Sequence, residues 1–346
     1  MARAREETQV TLTFEQWRGT WGPVPATPDR VHGSIRRATS IQTTWPNGVG
    51  LDSDVRLIAR GRDVRTARDG ATSVVDAAAV ELSAQGIAHE VTQIESEPQR
   101  SELDALVGAS LMGGFRKVAV TALPDVAGSV MGLLLDDLPA AMIVAASVPI
   151  RVLIEDSGEV PEWMRQPSTG SPYVCLGHRD GGVMQQRRMN GQPLLGQGPP
   201  AGDLRRPDDP FAWPDAPPTR PYSTRRLRRI DVRMDGDVLQ VDSHFRDSYT
   251  GPDRVETSVH EYEVTLTAGT DDLVRSVEVR PRVLPGPECP TAAASAQRVV
   301  GQPLEQLRQF VRAELRGETV CPHLNDQLRA LADVPDLART LELHRP

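Results

Sequence analysis

Apolar and polar positions alternate from residue 260 to 267, with Tyr262, Val264 and Leu266 on one face, which predicts a half-buried strand. Residues 273–283 continue as a second strand. Gly269-Thr270-Asp271-Asp272 between them supplies hairpin-turn chemistry. Residues 55–59 and 238–245 are further strand candidates. The period then changes. Leu304, Leu307, Phe310, Val311 and Leu315 recur at three- and four-residue steps, an amphipathic helical stripe, and Gly317 stands where that helix would stop. Residues 325–332 and 334–343 read as a second helical pair. The most apolar stretch, residues 130–150, is interrupted by Asp136, Asp137 and Pro139, so it predicts a buried helix rather than a membrane span.

This pattern occurs twice. Arg62-Asp63 matches Arg246-Asp247, an offset of 184 positions (246 − 62), and the same offset places Val80, Leu82 and Ala84 on Val264, Leu266 and Ala268. Ile35-Arg36-Arg37 resembles Leu227-Arg228-Arg229. Leu135-Asp136-Asp137-Leu138-Pro139 resembles Leu331-Ala332-Asp333-Val334-Pro335. Ordered matches of this kind point to an internal duplication. Between the copies, residues 155–222 hold twelve prolines and many glycines, a composition that leaves little room for helix or sheet, although a short piece such as 172–176 can still pack on a neighbour. The expected organisation is an N-terminal arm (1–30), a first half (31–154), a Pro/Gly-rich linker (155–222) and a second half (223–346) that carries the cysteine and histidine groups. Strands followed by helices in each half predict an α+β fold, two strand-rich halves packed as one unit.

Composition narrows the function. The 346 residues carry 39 Lys+Arg against 47 Asp+Glu, a net charge of −8, and only 4% aromatics. An acidic chain with few aromatic platforms is not expected to bind nucleic acid, and no partner membrane is expected. The first ten residues lack the apolar core of a secretory signal, and three cysteines make no disulfide framework. A cytoplasmic protein with reduced thiols is the expectation. No P-loop, GxGxxG after a strand, GxSxG or HExxH is present, so no cofactor is expected.

The chemistry-bearing residues lie in the second half. His260, Cys289, Cys321 and His323 have no Cys or His at the matching positions of the first half, which suggests a single site. Cys321 and His323 precede a helix that Asn325 or Asp326 would cap, and the positive end of that helix would lower the Cys321 pKa or hold an anion. Cys289, Cys321 and His323, with an Asp or His260 as fourth ligand, together suit zinc, although no close CxxC pair supports that reading. Packing is the commoner use of a buried cysteine. His260 and Glu261 are adjacent on a strand and point to opposite faces, so His260 pairs in space with Tyr262 rather than with Glu261. Arg62-Asp63, once per half with Arg246-Asp247, favours structure; Arg246 is also placed to clamp a substrate carboxylate. Asp136-Asp137 reads as a helix-exposed acidic pair.

Several of these segments resemble the bacterial domain-of-unknown-function 2889 family: His244-Phe245-Arg246-Asp247-Ser248, His260-Glu261-Tyr262, Pro281 through Pro290, Cys321-Pro322-His323-Leu324-Asn325-Asp326, Gly33 through Arg37, and Leu134 through Pro139. The resemblance spans most of the chain apart from the arm and much of the linker. Pro322 departs from the threonine usual after that cysteine. The family brings no catalytic roles with it. Ala, Arg, Gly and Pro usage suits a high-GC, actinobacterial source.

The expected function is a cofactor-independent lyase or isomerase-type enzyme. It would act on a small apolar molecule in a pocket between the halves, with acid–base groups drawn from His260, Cys289, Cys321, His323 and Asp326 and substrate contacts from Arg246 and Tyr262. The alternatives are a non-catalytic small-molecule-binding or scaffold protein and a zinc-dependent hydrolase.

Overall fold

The structure is a computed structural model that describes residues 21–158, 160–165 and 175–343. The first twenty residues of the arm, and most of the 172–176 piece of the linker, lie outside the described residues.

Eight strands form one antiparallel sheet: β1 (Ser34–Thr44), β2 (Val55–Thr66), β3 (Thr72–Gln85), β4 (Glu90–Glu97), β5 (Thr224–Asp235), β6 (Val238–Thr250), β7 (Glu256–Gly269) and β8 (Val274–Val283). Their order across the sheet is β4-β3-β2-β1-β5-β6-β7-β8. Each half contributes a four-stranded meander. The first strands of the two meanders pair along a central seam, from Ser34 opposite Arg233 to Thr43 opposite Thr224. Helices α1 (Phe115–Ala122), α2 (Val130–Ala145) and α3 (Ser147–Ser157) follow the first meander. Short α4 (Glu162–Arg165) and α5 (Val183–Met189) lie in the linker, and α6 (Leu307–Glu314), α7 (Pro322–Ala330) and α8 (Val334–Leu343) follow the second meander. This is the expected α+β plan.

Burial follows the strand positions. β2 alternates buried and solvent-facing residues along most of its length, whereas β1, at the centre of a sheet covered on both faces, is buried from Ser34 to Thr43. One apolar cluster unites β1–β3 with α1 and α2; a second unites β5–β8 with α6, α7 and α8. The helical stretch Val130–Ser157 is long and apolar enough to cross a membrane, but α2 buries Val130, Leu133, Leu134, Leu138 and Met142 against the sheet, as expected of a core helix. α2 packs on β1, β2, β3 and β5, and α8 packs on β1 and β5, so each half's helices reach across the seam.

The linker is more structured than its proline content predicts. No proline falls between residues 173 and 192, and α5 forms there. Farther on, Pro200 bridges Thr257 and the Ser258 amide donates to the Pro199 carbonyl at 2.9 Å, so the linker pairs with β7 just where β8 has ended. Residues 204–213 then cross the sheet face opposite the helices, where Trp213 Nε1 donates to Thr27 Oγ1 at 2.7 Å and a small cluster forms from Val24, Ala38, Leu204, Ala212 and Trp213. A Cβ on Gly198 would lie 1.7 Å from the Ser258 carbonyl oxygen. Gly198→Ala is therefore expected to lift the linker from β7 at a cost of about 1–3 kcal/mol. Amide exchange at Ser258 and Ala201 checks it, and unchanged protection at both would refute it.

Candidate functional site

The helix-facing side of the seam is charged. Arg37 on β1 stands opposite Asp63 on β2 and binds both of its oxygens, through Nε and Nη2, each at 2.7 Å. Arg226 on β5 stands opposite Asp247 on β6 and does the same at 2.9 Å. Each guanidinium also meets a carboxylate from the other half's helices: Asp333 lies 2.9 Å from Arg37 Nη1 and Asp137 lies 3.6 Å from Arg226 Nη1. Arg228 grips Asp137 with two further bonds at 2.8 and 2.9 Å. The two dipeptides singled out in the sequence thus act through their aspartates. Arg62 and Arg246 point to the other face. Asp136 and Asp137 are not an exposed helical pair: α2 lies on the arginines of β5, so Asp137 is buried and Asp136 is bound by Arg329.

The halves differ one strand farther out. In the first half Asp63 pairs in register with Asp76 on β3, and Asp76 accepts the Val130 amide at 2.9 Å, capping the start of α2. In the second half Asp247 pairs in register with His260 on β7. His323, in the first turn of α7, stacks on His260 with ring centroids 3.6 Å apart and planes 15° from parallel. His323 Nε2 lies 3.8 Å from Asp247 Oδ2. One nitrogen or oxygen atom from each of Asp247, His260 and His323 falls within 4.8 Å of the others, and among the described residues this is the one group with the makings of a metal site.

The electrostatics of the three are set by burial. Desolvation holds His323 down to about 3, helped by the nearby Arg226. Burial, then the His323 ring, hold His260 well below its ordinary value against the pull of Asp247. Both rings are neutral and offer lone pairs. His260 Nδ1 is sealed from solvent with no hydrogen-bond partner. Arg226 stays charged: burial works against it, but Asp247, Asp137 and Asp326 outweigh that cost.

The three thiols gather beside this centre. Cys321 Sγ lies 3.8 Å from His323 Nδ1, and Tyr262 lies against Cys321. The Leu176 amide donates to Val320 at 3.1 Å, which brings Cys175 to the same region, and Cys289 senses both other thiols. All three cysteines are free. Burial pushes the Cys321 thiol up to about 11 and raises Cys289 as well. This reverses the expectation that the α7 terminus would lower the Cys321 pKa. Asn325 and Asp326 lie inside α7, whose cap position is Cys321, and neither caps it.

Of the residues named from sequence, His260 and His323 meet directly, with Cys321, Tyr262 and Cys289 around them. Asp326 reaches the centre through Arg226, at 3.4 Å. Arg246 does not reach it. On the opposite face its Nη2 binds Glu261 at 2.9 Å and the Val24 carbonyl at 2.8 Å and its Nη1 the Gly202 carbonyl at 2.6 Å, so both terminal nitrogens are engaged by the chain itself. His260 and Glu261 do face opposite ways, as the alternation requires. Asp247 was overlooked as a site residue; its signal was the strand register, since Asp247 pairs with His260 across β6 and β7. A recess of about 70 Å³ lies between α1 and α2 of the first half, lined by Arg116, Leu123, Leu135 and Asp136 with Arg308 of the second half at its edge, and Arg116 extends from it to within 3.9 Å of Asp326.

Residues 224–336 match the model of a family described as Protein of unknown function (DUF2889). The match covers β5 through the first turn of α8 and includes Asp247, His260, Cys289, Cys321 and His323. The resemblance is thus supported over the second half, a shorter span than the sequence segments suggested. No curated protein matches the chain.

Proposed function

We propose that this protein is an enzyme with its reaction centre at Asp247, His260 and His323, which moves protons on a small, mostly apolar molecule in a lyase- or isomerase-type reaction. The observation that carries this reading is the stacked pair of neutral imidazoles beside a buried carboxylate, with one ring nitrogen unsatisfied. A neutral imidazole accepts a proton, and an adjacent carboxylate stabilises the cation that results. The scaffold itself does not call for this pair, because the first half fills the matching β3 position with a helix-capping aspartate. The raised thiol pKa values turn the reading away from a cysteine nucleophile. The sequence has no nucleotide-cofactor motif, and three free thiols fit a reducing cytoplasm.

Native mass spectrometry of the full chain from its own host is expected to show an organic adduct. Exchange of that compound's acidic C–H protons in deuterated water then tests the centre. His260→Gln and His323→Gln are each expected to slow exchange at least about 100-fold, the range of a lost general acid–base. Exchange that persists in both folded variants would remove the proposal.

A further inference from the structure

Geometry points to more than a proton relay at this centre. We propose that Asp247, His260 and His323 bind one divalent transition-metal ion, a site of two imidazoles and one carboxylate with open positions for substrate or water. The proposal rests on the same three residues forming the reaction centre; with an ion held there, the proton acceptor would be a water or substrate group made acidic by the ion in place of a free imidazole.

Four observations support it. The first is the donor set. Two neutral imidazoles and a carboxylate favour Zn²⁺, Fe²⁺ or Co²⁺ over Mg²⁺ or Ca²⁺, which prefer oxygen ligands throughout. The second is spacing. With metal–ligand distances of roughly 2.0–2.2 Å, tetrahedral ligand atoms sit about 3.4 Å from one another. The three donor atoms already lie within 4.8 Å of one another, and holding one ion requires the stacked His260 and His323 rings to turn so that their lone pairs converge.

The third is the shell around the ligands. Cys321 Sγ faces His323 Nδ1 at 3.8 Å, which leaves Nε2 directed at Asp247. Arg226 holds both oxygens of Asp247 at 2.9 Å and so fixes its orientation, as outer groups do for ligating carboxylates. The fourth is the sealed His260 Nδ1, a buried acceptor or donor with no partner, which native interiors rarely leave unmet. This ligand set keeps His323, together with His260 and an aspartate, which sequence offered only as alternatives for a fourth ligand, and leaves out Cys289 and Cys321. Cys321 and Cys289 lie beside the site instead of supplying it: Cys321 Sγ faces His323 Nδ1, away from the three-donor cluster.

The test uses the full chain, stripped with chelator and titrated with Co²⁺ and with Zn²⁺ by calorimetry and visible absorption. One ion per chain is expected, with Co²⁺ d–d bands and no thiolate-to-metal charge-transfer band. His260→Gln and His323→Gln are expected to weaken Co²⁺ binding at least 10-fold, whereas Cys289→Ala leaves it unchanged. If either histidine variant fails to fold, the Co²⁺-loaded wild-type protein answers instead: hyperfine-shifted imidazole N–H signals from two histidines are expected. The proposal is overturned if the wild type takes up neither ion, if a thiolate band appears, or if both folded histidine variants bind as tightly as the wild type. Its failure is separable from that of the proton-transfer reading. No metal uptake together with His-dependent exchange removes the metal alone, and metal uptake with no exchange removes the proton-transfer reaction alone.

Discussion

Arg226→Met is expected to destabilise the fold by about 3–5 kcal/mol, the usual consequence of removing one member of a buried ion cluster. The guanidinium is 1% exposed and is met by Asp247 at 2.9 Å, Asp326 at 3.4 Å and Asp137 at 3.6 Å. Methionine restores most of the volume, so the loss comes from charge rather than from a cavity. Asp247 is left buried with no bidentate partner, and burial already pushes its pKa up. Arg37→Met should lose a similar amount, because Arg37 grips Asp63 across β1 and β2 as Arg226 grips Asp247, and Asp63 is then left buried without its bidentate partner, although Asp333 keeps Arg308 at 3.0 Å. Arg56→Met supplies the contrast: its pair with Glu81 is nearly half exposed on both sides, and such pairs contribute about 0–1 kcal/mol. Urea unfolding monitored by circular dichroism measures all three. A loss below about 1 kcal/mol in Arg226→Met would show that the cluster contributes nothing beyond packing.

The arginines of β5 also show where sequence reading reached its limit. Alternation revealed β7 and β8, which have one apolar face toward the helices and one polar face. It did not reveal β5, whose segment from Thr224 to Asp235 contains five arginines and is nonetheless a buried central strand. Arg226, Arg228 and Arg229 are met by Asp247, Asp137 and Asp242, which come from β6 or α2, and Arg229 is met also by Asp231 on β5 itself. Periodicity within a segment carries no information about partners that distant. The same holds at the site. His260 and His323 were legible as unusual residue types confined to one half. Asp247 was hidden inside a repeated Arg-Asp pair, because the repeat reports what the halves share, whereas the site depends on what the β7 neighbour of that aspartate is. The linker forms more regular structure than its proline count predicts for a simpler reason. Proline count forbids regular structure only where prolines stand, and residues 175–192 are free of them.

The second large effect lies on the opposite face, directly behind the candidate centre. Glu261→Gln is expected to cost roughly 3 kcal/mol at neutral pH, from a folded-state pKa of about 2 against an ordinary value of 4.5. Burial alone would raise that pKa. Four donors reverse it: His244 Nε2 at 2.8 Å, Arg246 Nη2 and the Val24 amide each at 2.9 Å, and Ser258 Oγ at 3.1 Å. His244 donates as a neutral ring, since burial lowers its pKa more than Glu261 raises it. The depressed carboxylate stabilises the folded state fully above pH 4.5, and this contribution declines as pH falls toward 2. The gap between wild type and Glu261→Gln should therefore be flat from pH 8 to 5 and narrow by about 1 kcal/mol by pH 3.5. The wild type should already weaken below pH 6.5, because His244, like His89, is buried neutral and its lowered pKa withdraws stability as the unfolded chain takes up protons. Urea midpoints across that range read both trends. A gap that stays constant down to pH 3.5 would mean that Glu261 holds the Val24 segment by shape and hydrogen bonds alone, with no contribution from its charge.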